Sequence, residues 1–260
     1  LQVDIQRLPL TKTGPESLKP FGYDLFTRKV STFAPSTNVP VPSNYVVGPG
    51  DQLNVQLFGA QNRNLRLTVG RDGRLNFPEL GPIEVSGKTF DVVSNEIEVR
   101  VARQIIGTQA SVGMGDVRSI QVFVMGEVNK PGAYTVSGLS TITSVLYASG
   151  GIQTTGSLRD IQLKRQGSIV RRLDLYDVLL KGDTSADAAL MPGDVVFIPP
   201  VGSTVSVAGE VKRPAVYELK GRATLVNVIE LAGGLTPEAD DSRISVVRYG
   251  DDRRRVAVNV

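Results

Sequence analysis

The 260-residue sequence contains no cysteine and no histidine. Lacking Cys, it has no disulfide framework, thiolate nucleophile or zinc ribbon, and its redox compartment stays open. Lacking His, it also loses the usual nucleophilic triads and most zinc sites. Neither sign of charge dominates. With 29 Lys and Arg against 26 Asp and Glu, the broad cationic surface that drives nucleic-acid binding is not expected. No run approaches the roughly 18 consecutive apolar residues of a membrane-spanning helix; the best short run is Val195 to Ile198. No glycine-rich loop is followed by the Lys and Ser or Thr of a phosphate cradle, so no nucleotide site is expected; no other cofactor and no metal is expected either. Gly48, Gly50, Gly150, Gly151, Gly233 and Gly234 read instead as positions of special backbone geometry.

What the chain does have is repetition. Val124-Met125-Gly126-Glu127-Val128 with Pro131 and Tyr134 returns as Val207-Ala208-Gly209-Glu210-Val211 with Pro214 and Tyr217, 83 positions later. The same offset carries Gly150-Gly151 to Gly233-Gly234, Ile161 to Ile244, Arg165 to Arg248 and Arg171-Arg172 to Arg254-Arg255, without a gap. So long a period predicts a small domain with its own core rather than one layer of a solenoid. The second copy runs only just past the position matching Asp177 and has no counterpart to Leu190-Met191-Pro192-Gly193-Asp194, so it reads as truncated, in an excised piece.

Residues 1–43 carry six prolines and no sustained period, which predicts an extended N-terminal arm. Its Phe21, Tyr23, Leu25 and Phe26 are too apolar for a solvated linker and are expected to pack on a neighbouring domain or subunit, or on the arm's own domain. From Tyr45 the texture becomes short alternating runs between turn residues. Pro49-Gly50-Asp51 turns into the alternation Leu53 to Leu57. Leu65 to Val69 and Leu75 to Phe77 read as strands of one hairpin about Arg71-Asp72-Gly73-Arg74. Phe90, Val93, Ile97, Val101 and Ile105 mark one face of a helix with Thr89 as N-cap and Gly107 as its end. In each copy two strands precede a capped helix, at Thr141 and at Thr224, ended by the Gly pair; further strands follow in the first copy, closing with Val195 to Ile198. The fold class is α+β, and the order within a copy is that of a β-grasp.

Tyr45-Val46-Val47-Gly48-Pro49-Gly50-Asp51, then Asp72-Gly73 leading to Phe77-Pro78-Glu79-Leu80-Gly81, then the amphipathic helix, resemble the polysaccharide export domain. The two copies resemble soluble-ligand-binding β-grasp (SLBB) domains through Gly-Glu-Val, Pro, Tyr and Gly-Gly. The resemblance places an export domain at 44–117, a first β-grasp domain at 118–200 and a truncated second one at 201–260. Three domains in this order are similar to the outer-membrane polysaccharide export proteins. That implies a homo-oligomeric periplasmic ring beneath the outer membrane, a passive water-filled passage for capsular or exopolysaccharide, and no enzyme. It also implies a partner in the inner membrane, a polysaccharide co-polymerase that is often a tyrosine autokinase, and attachment of the full-length protein to the outer membrane while this portion is soluble. Family members often carry a lipidated N-terminal Cys, which this sequence does not have.

Several side chains invite a chemical role. Arg71, Asp72 and Arg74 sit at a hairpin tip, where they line a pore mouth, pair between subunits or are merely solvated. Tyr134 and Tyr217 offer aromatic faces for sugar stacking or domain contact. Glu127 and Glu210 look like an acid pair, yet glycoside hydrolysis needs two carboxylates facing one sugar, and duplication sets these in different domains. Arg253-Arg254-Arg255 reads as a charged strand edge. Beside the conduit stand two competitors: a soluble periplasmic β-grasp module that binds a glycan, small ligand or partner protein without forming a channel, and a glycan-modifying enzyme that uses Glu79 or Glu127. The isolated piece is expected to be a monomer or weak oligomer by light scattering, because interfaces built from several domains fail when one is missing.

Overall fold

The computed structural model describes residues 18–26, 40–240, 242, 244–249 and 255–259. The rest of the predicted arm and Arg253-Arg254 lie outside the described residues, as does the side chain of Arg255.

The first unit is a three-stranded antiparallel sheet in the order β2-β1-β5, with β1 at Gln52–Gly59, β2 at Arg63–Thr68 and β5 at Thr108–Met114. Strict alternation along β1 sends Leu53, Val55 and Leu57 into the core, each at most 1% exposed, and turns the even-numbered residues outward. Helix α1 (Phe90–Gln104) covers the apolar face with Val93, Ile97 and Val101, all fully buried. Each contributes roughly 1.5–3 kcal/mol relative to exposure. Thr89 holds the N-cap position in extended geometry but makes no side-chain cap hydrogen bond.

One strand pairing departs from the sequence reading. Val69 and Leu75 meet in a single bridge, but β3 (Arg74–Phe77) pairs with β4 (Gly81–Glu84), while β2 pairs with β1. The physical reason is burial: Leu75, Phe77 and Ile83 lie on the inner side of a separate hairpin, and that pairing keeps all three in the core at no more than 1% exposure.

The first repeat forms a five-stranded mixed sheet ordered β7-β6-β10-β8-β9. Here β6 is Ser119–Gly126, β7 Gly132–Ser137, β8 Ile161–Arg165, β9 Ser168–Leu173 and β10 Val195–Ile198. Strand β10 runs parallel to β6 and antiparallel to β8, so the last strand in sequence lies at the centre of the sheet. Helix α2 (Ile142–Ala148) buries Ile142, Val145 and Leu146 in the same core, and α3 (Leu175–Lys181) buries Leu175 and Tyr176. This order of two strands, a helix and a central parallel strand is a β-grasp arrangement.

The second repeat reproduces the start of the first: hairpin β11 (Thr204–Val207) with β12 (Ala215–Glu218), then α4 (Leu225–Leu231), then hairpin β13 (Ser245–Tyr249) with β14 (Arg255–Asn259). The repeat extends to backbone detail. Thr141 and Ser144 close a capping box on α2, and Thr224 and Asn227 close one on α4. The bridge Val128↔Ile152 returns as Val211↔Leu235, and the Tyr134 hydroxyl donates to the Lys130 carbonyl as that of Tyr217 does to Arg213, both at 2.5 Å.

Candidate functional site

The same Pro-Gly-Asp turn occurs twice, at the joint between the first two domains and inside the first β-grasp sheet. In Gly48-Pro49-Gly50-Asp51 the Asp51 N–H returns to the Gly48 carbonyl at 3.1 Å, with Gly50 at φ 94, and its carboxylate accepts from the Gly48 N–H at 2.8 Å. Met191-Pro192-Gly193-Asp194 repeats this: Asp194 N–H to the Met191 carbonyl at 3.1 Å, Gly193 at φ 82, and the carboxylate accepting from the Met191 N–H at 2.8 Å. Pro presets the second turn position and Gly supplies positive φ at the third, which is why the motif recurs.

Both carboxylates are fully buried and each is met by an arginine. Arg165 grips Asp194 through two nitrogens at 2.8 Å, and this bond raises the guanidinium pKa. Asp51 accepts from the Tyr45 hydroxyl and from the backbone and guanidinium of Arg118, which stands at the entrance to β6. The Arg118 carbonyl in turn accepts from Gly138 after β7. Asp51 thereby clamps the export domain to the first β-grasp sheet.

The second joint is built by the arm. Lys19 to Phe21 lie parallel to β12, with Val216 donating to the Lys19 carbonyl at 3.0 Å and Phe21 donating to the Val216 carbonyl at 2.9 Å. The Phe21 ring sits 5.1 Å from Tyr176 of the first copy and 5.0 Å from Tyr217 of the second. Tyr23 donates to the Gly156 carbonyl, and Phe26 rests on Tyr147 above Gly151, where a Cβ would come to 2.2 Å from the Phe26 Cβ and 2.4 to 2.9 Å from its ring. Glu218, 6% exposed, completes the seam: from the second copy it accepts from the N–H groups of Leu158 at 2.9 Å and Gly202 at 3.0 Å, while its own N–H donates to the Tyr176 hydroxyl. Arg159 ties the Glu218 carbonyl to Asp174 and stacks over Tyr176 at 4.7 Å.

Burial raises the pKa of the tyrosines at both joints. Tyr176 is pushed up to about 12, by desolvation first and by the neighbouring Glu218 and Tyr217 after it. Tyr23 is raised by desolvation and then by Glu218, and Tyr45 by desolvation and then by Asp51. A folded pKa above the unfolded one gives stability that is complete below the unfolded value, near 10, and is lost as pH climbs through the folded one. Stability is therefore expected to hold steady to about pH 9.5 and to fall between about pH 10 and 12. Urea melts across that range, with tyrosinate absorbance followed in parallel, check it; Tyr176→Phe should flatten part of the fall.

The sequence-predicted residues fall as follows. Arg71, Asp72 and Arg74 lie together, exposed, on the turn where Gly73 returns to the Gly70 carbonyl and Asp72 accepts from the Arg74 N–H; among the described residues none of the three has an ion-pair partner. Tyr134 is half-buried. Tyr217 is 0% exposed, its ring 5.0 Å from Phe21 and 6.4 Å from Tyr176 of the first copy. Glu127 and Glu210 stay in their own copies, accepting from Thr155 and Thr236 respectively, and do not converge. Glu79 pairs with Arg63. Among the described residues no cluster of acids could hold a metal ion, and no helix is long and apolar enough to cross a membrane.

An export-type α+β unit clamped to two β-grasp repeats defines a class, and comparison with known families agrees with it. Residues 39–115 match the family described as Polysaccharide biosynthesis/export protein, and residues 120–198 and 204–257 each match an SLBB domain. The chain belongs to the outer-membrane polysaccharide export protein family. It is similar to the EPS I polysaccharide export outer membrane protein EpsA of Ralstonia nicotianae, 34% identical over 204 residues, covering 76% of this chain and 53% of that protein. It is 27% identical over 208 residues to the polysialic acid transport protein KpsD of Escherichia coli, covering 79% of this chain and 37% of that one. A third relative, the exopolysaccharide production protein ExoF of Rhizobium meliloti, is 34% identical over 90 residues, 33% of this chain and 21% of its own length. The chain thus spans about half the length, or less, of the curated relatives it matches.

Proposed function

We propose that this chain is the periplasmic portion of an outer-membrane export channel for capsular or exopolysaccharide, a wall segment that associates with further copies of itself into a ring. The observation that carries the reading is the order of the three modules, together with similarity over 204 residues to a relative named for polysaccharide export. The two joints support it: a buried Asp51–Arg118 pair and the arm-Glu218 seam leave three small domains little freedom to hinge, as a wall requires. Arg71, Asp72 and Arg74, without an ion-pair partner among the described residues, are proposed as pore-lining or intersubunit contacts. The polymer passes without covalent change, and an inner-membrane co-polymerase, a tyrosine autokinase in the fullest form of this reading, delivers it.

A conduit is served by weak, repeated contacts, since nanomolar binding would hold a sugar by about 12 kcal/mol and stall the chain. Short glycans are expected to bind the purified protein only at millimolar strength; a micromolar or tighter calorimetric constant counts against a conduit and favours a binding module. Deleting the gene in the producing bacterium is expected to leave polymer made but not displayed. Undiminished surface polymer in that strain would overturn the export role.

A further inference from the structure

The outward face of the sheet β2-β1-β5 has an unusual composition for a solvated surface. Asn54 and Gln56 of β1 point outward, in register with Arg66 and Asn64 of β2 on one side and with Gly113 and Ser111 of β5 on the other. All of these positions are exposed. Among the described residues the amides of Asn54, Gln56 and Asn64 make no side-chain hydrogen bond, and Arg66 has no ion-pair partner. Soluble domains usually cover such a face with interspersed charges of both signs. Here the cross-strand pairs are amide, hydroxyl and a single guanidinium, with no carboxylate.

The shape suits an extended guest. These residues line an open groove of about 700 Å3. At Gly113 an added Cβ would meet only the Asn54 carbonyl, at 3.9 Å, so the floor of the groove is clear. At Gly115 a Cβ would come to 3.0 Å from the Gln52 amide and 3.2 Å from that of Asn54, so glycine there leaves those amides room. At the end of the face Phe58 stands 40% exposed, paired in register with Gln109.

We propose that this groove is a contact site for a segment of acidic polysaccharide. A side-chain amide offers donor and acceptor together, the complement of neighbouring sugar hydroxyls, and its rigid strand setting limits the ordering cost. The Phe58 ring supplies a face for the apolar side of a pyranose. Arg66, unopposed, selects a carboxylate-bearing sugar over a neutral one. The assignment rests on the export reading and names where the polymer touches the wall.

The test is an NMR titration of the whole chain with short oligomers of α2,8-linked sialic acid and, separately, of dextran. The side-chain amide signals of Asn54, Gln56 and Asn64 are expected to move with the acidic probe at millimolar concentration. Phe58→Ala should weaken that binding about 3- to 10-fold. Arg66→Gln should remove the preference for the acidic probe, with an unchanged thermal melt. Shifts confined to other surfaces, no shift at tens of millimolar, or equal binding of both probes by the parent protein overturns the assignment. In the producing cell the pair Gln56→Glu and Asn64→Asp should slow appearance of acidic polymer at normal protein level. Normal display by that variant, beside a deletion strain that displays none, overturns the groove and leaves the export role standing; display by the deletion strain overturns the export role itself.

Discussion

Asp51→Ala is expected to cost the export domain about 3–5 kcal/mol, because it removes one partner of a buried ion pair and strands the other. The carboxylate is 0% exposed and accepts from the Tyr45 hydroxyl, the Gly48 and Arg118 N–H groups and the Arg118 guanidinium. Alanine satisfies none of them, and Arg118, whose side chain is 18% exposed, is left facing a void. The charge is only part of the role, since the same carboxylate closes the Pro-Gly-Asp turn and joins two domains. Asp51→Asn, which keeps shape and one acceptor oxygen, should lose less. Hydrogen exchange of the amides of Val47, Gln52 and Gly138 should accelerate in Asp51→Ala, while those of β8 and β9 stay slow. A loss below about 1 kcal/mol would mean that water replaces the carboxylate. Asp194→Ala removes the same turn device but exposes an arginine already 33% accessible, so a smaller loss is expected there.

These clamps were only half legible in the sequence. Pro49-Gly50-Asp51 and Pro192-Gly193-Asp194 announce turns, because turn chemistry is local. The arginines that make the Asp residues structural lie 67 and 29 positions away, and only the folded chain brings them close. Glu218 is likewise 60 positions from the Leu158 N–H that it accepts. What reads directly is what repeats or caps: Thr141 and Thr224 cap groups three residues on, the Gly pairs donate to carbonyls three and five residues back, and the 83-residue offset needs no folding to be seen.

The hairpin at Arg71–Arg74 shows the other limit. A turn signal says that the chain reverses, and Gly73 at φ 78 does reverse it. Which strands then pair is decided by the hydrophobic face each can bury, so β3 joins β4 instead of β2. Strand β5 is not legible in the sequence because Ala110 and Gly113 dilute its alternation, and two positions of the amide-lined groove lie on it. Glu218 carries no local signal of its place in the seam, and Phe21 signals packing on a neighbour without naming it, for a related reason. An aromatic in a proline-rich arm signals that something packs there, but not against what.

The repeat itself supplies the second large effect, with its own control. Gly126 and Gly209 occupy the same place in the two copies, at φ 92 and 89, where a side chain is disfavoured by about 1–2 kcal/mol. Their surroundings differ. A Cβ on Gly126 would lie 2.0 Å from the Ile198 carbonyl oxygen, whereas nothing stands within 4 Å of one on Gly209. The cause is β10, whose Ile198 pairs with Gly126 and accepts from the Glu127 N–H; among the described residues no strand stands beside Gly209 in that way. Gly209→Ala is therefore expected to cost only the backbone term. Gly126→Ala should cost that and about 1–3 kcal/mol more, since it must push the central parallel strand of the first β-grasp sheet aside. Because the two substitutions share chemistry, motif and dihedral angle, the difference between their denaturant midpoints isolates the steric part. Equal losses would mean that β10 yields freely at Ile198 and that the central strand of this sheet is not firmly held at its end.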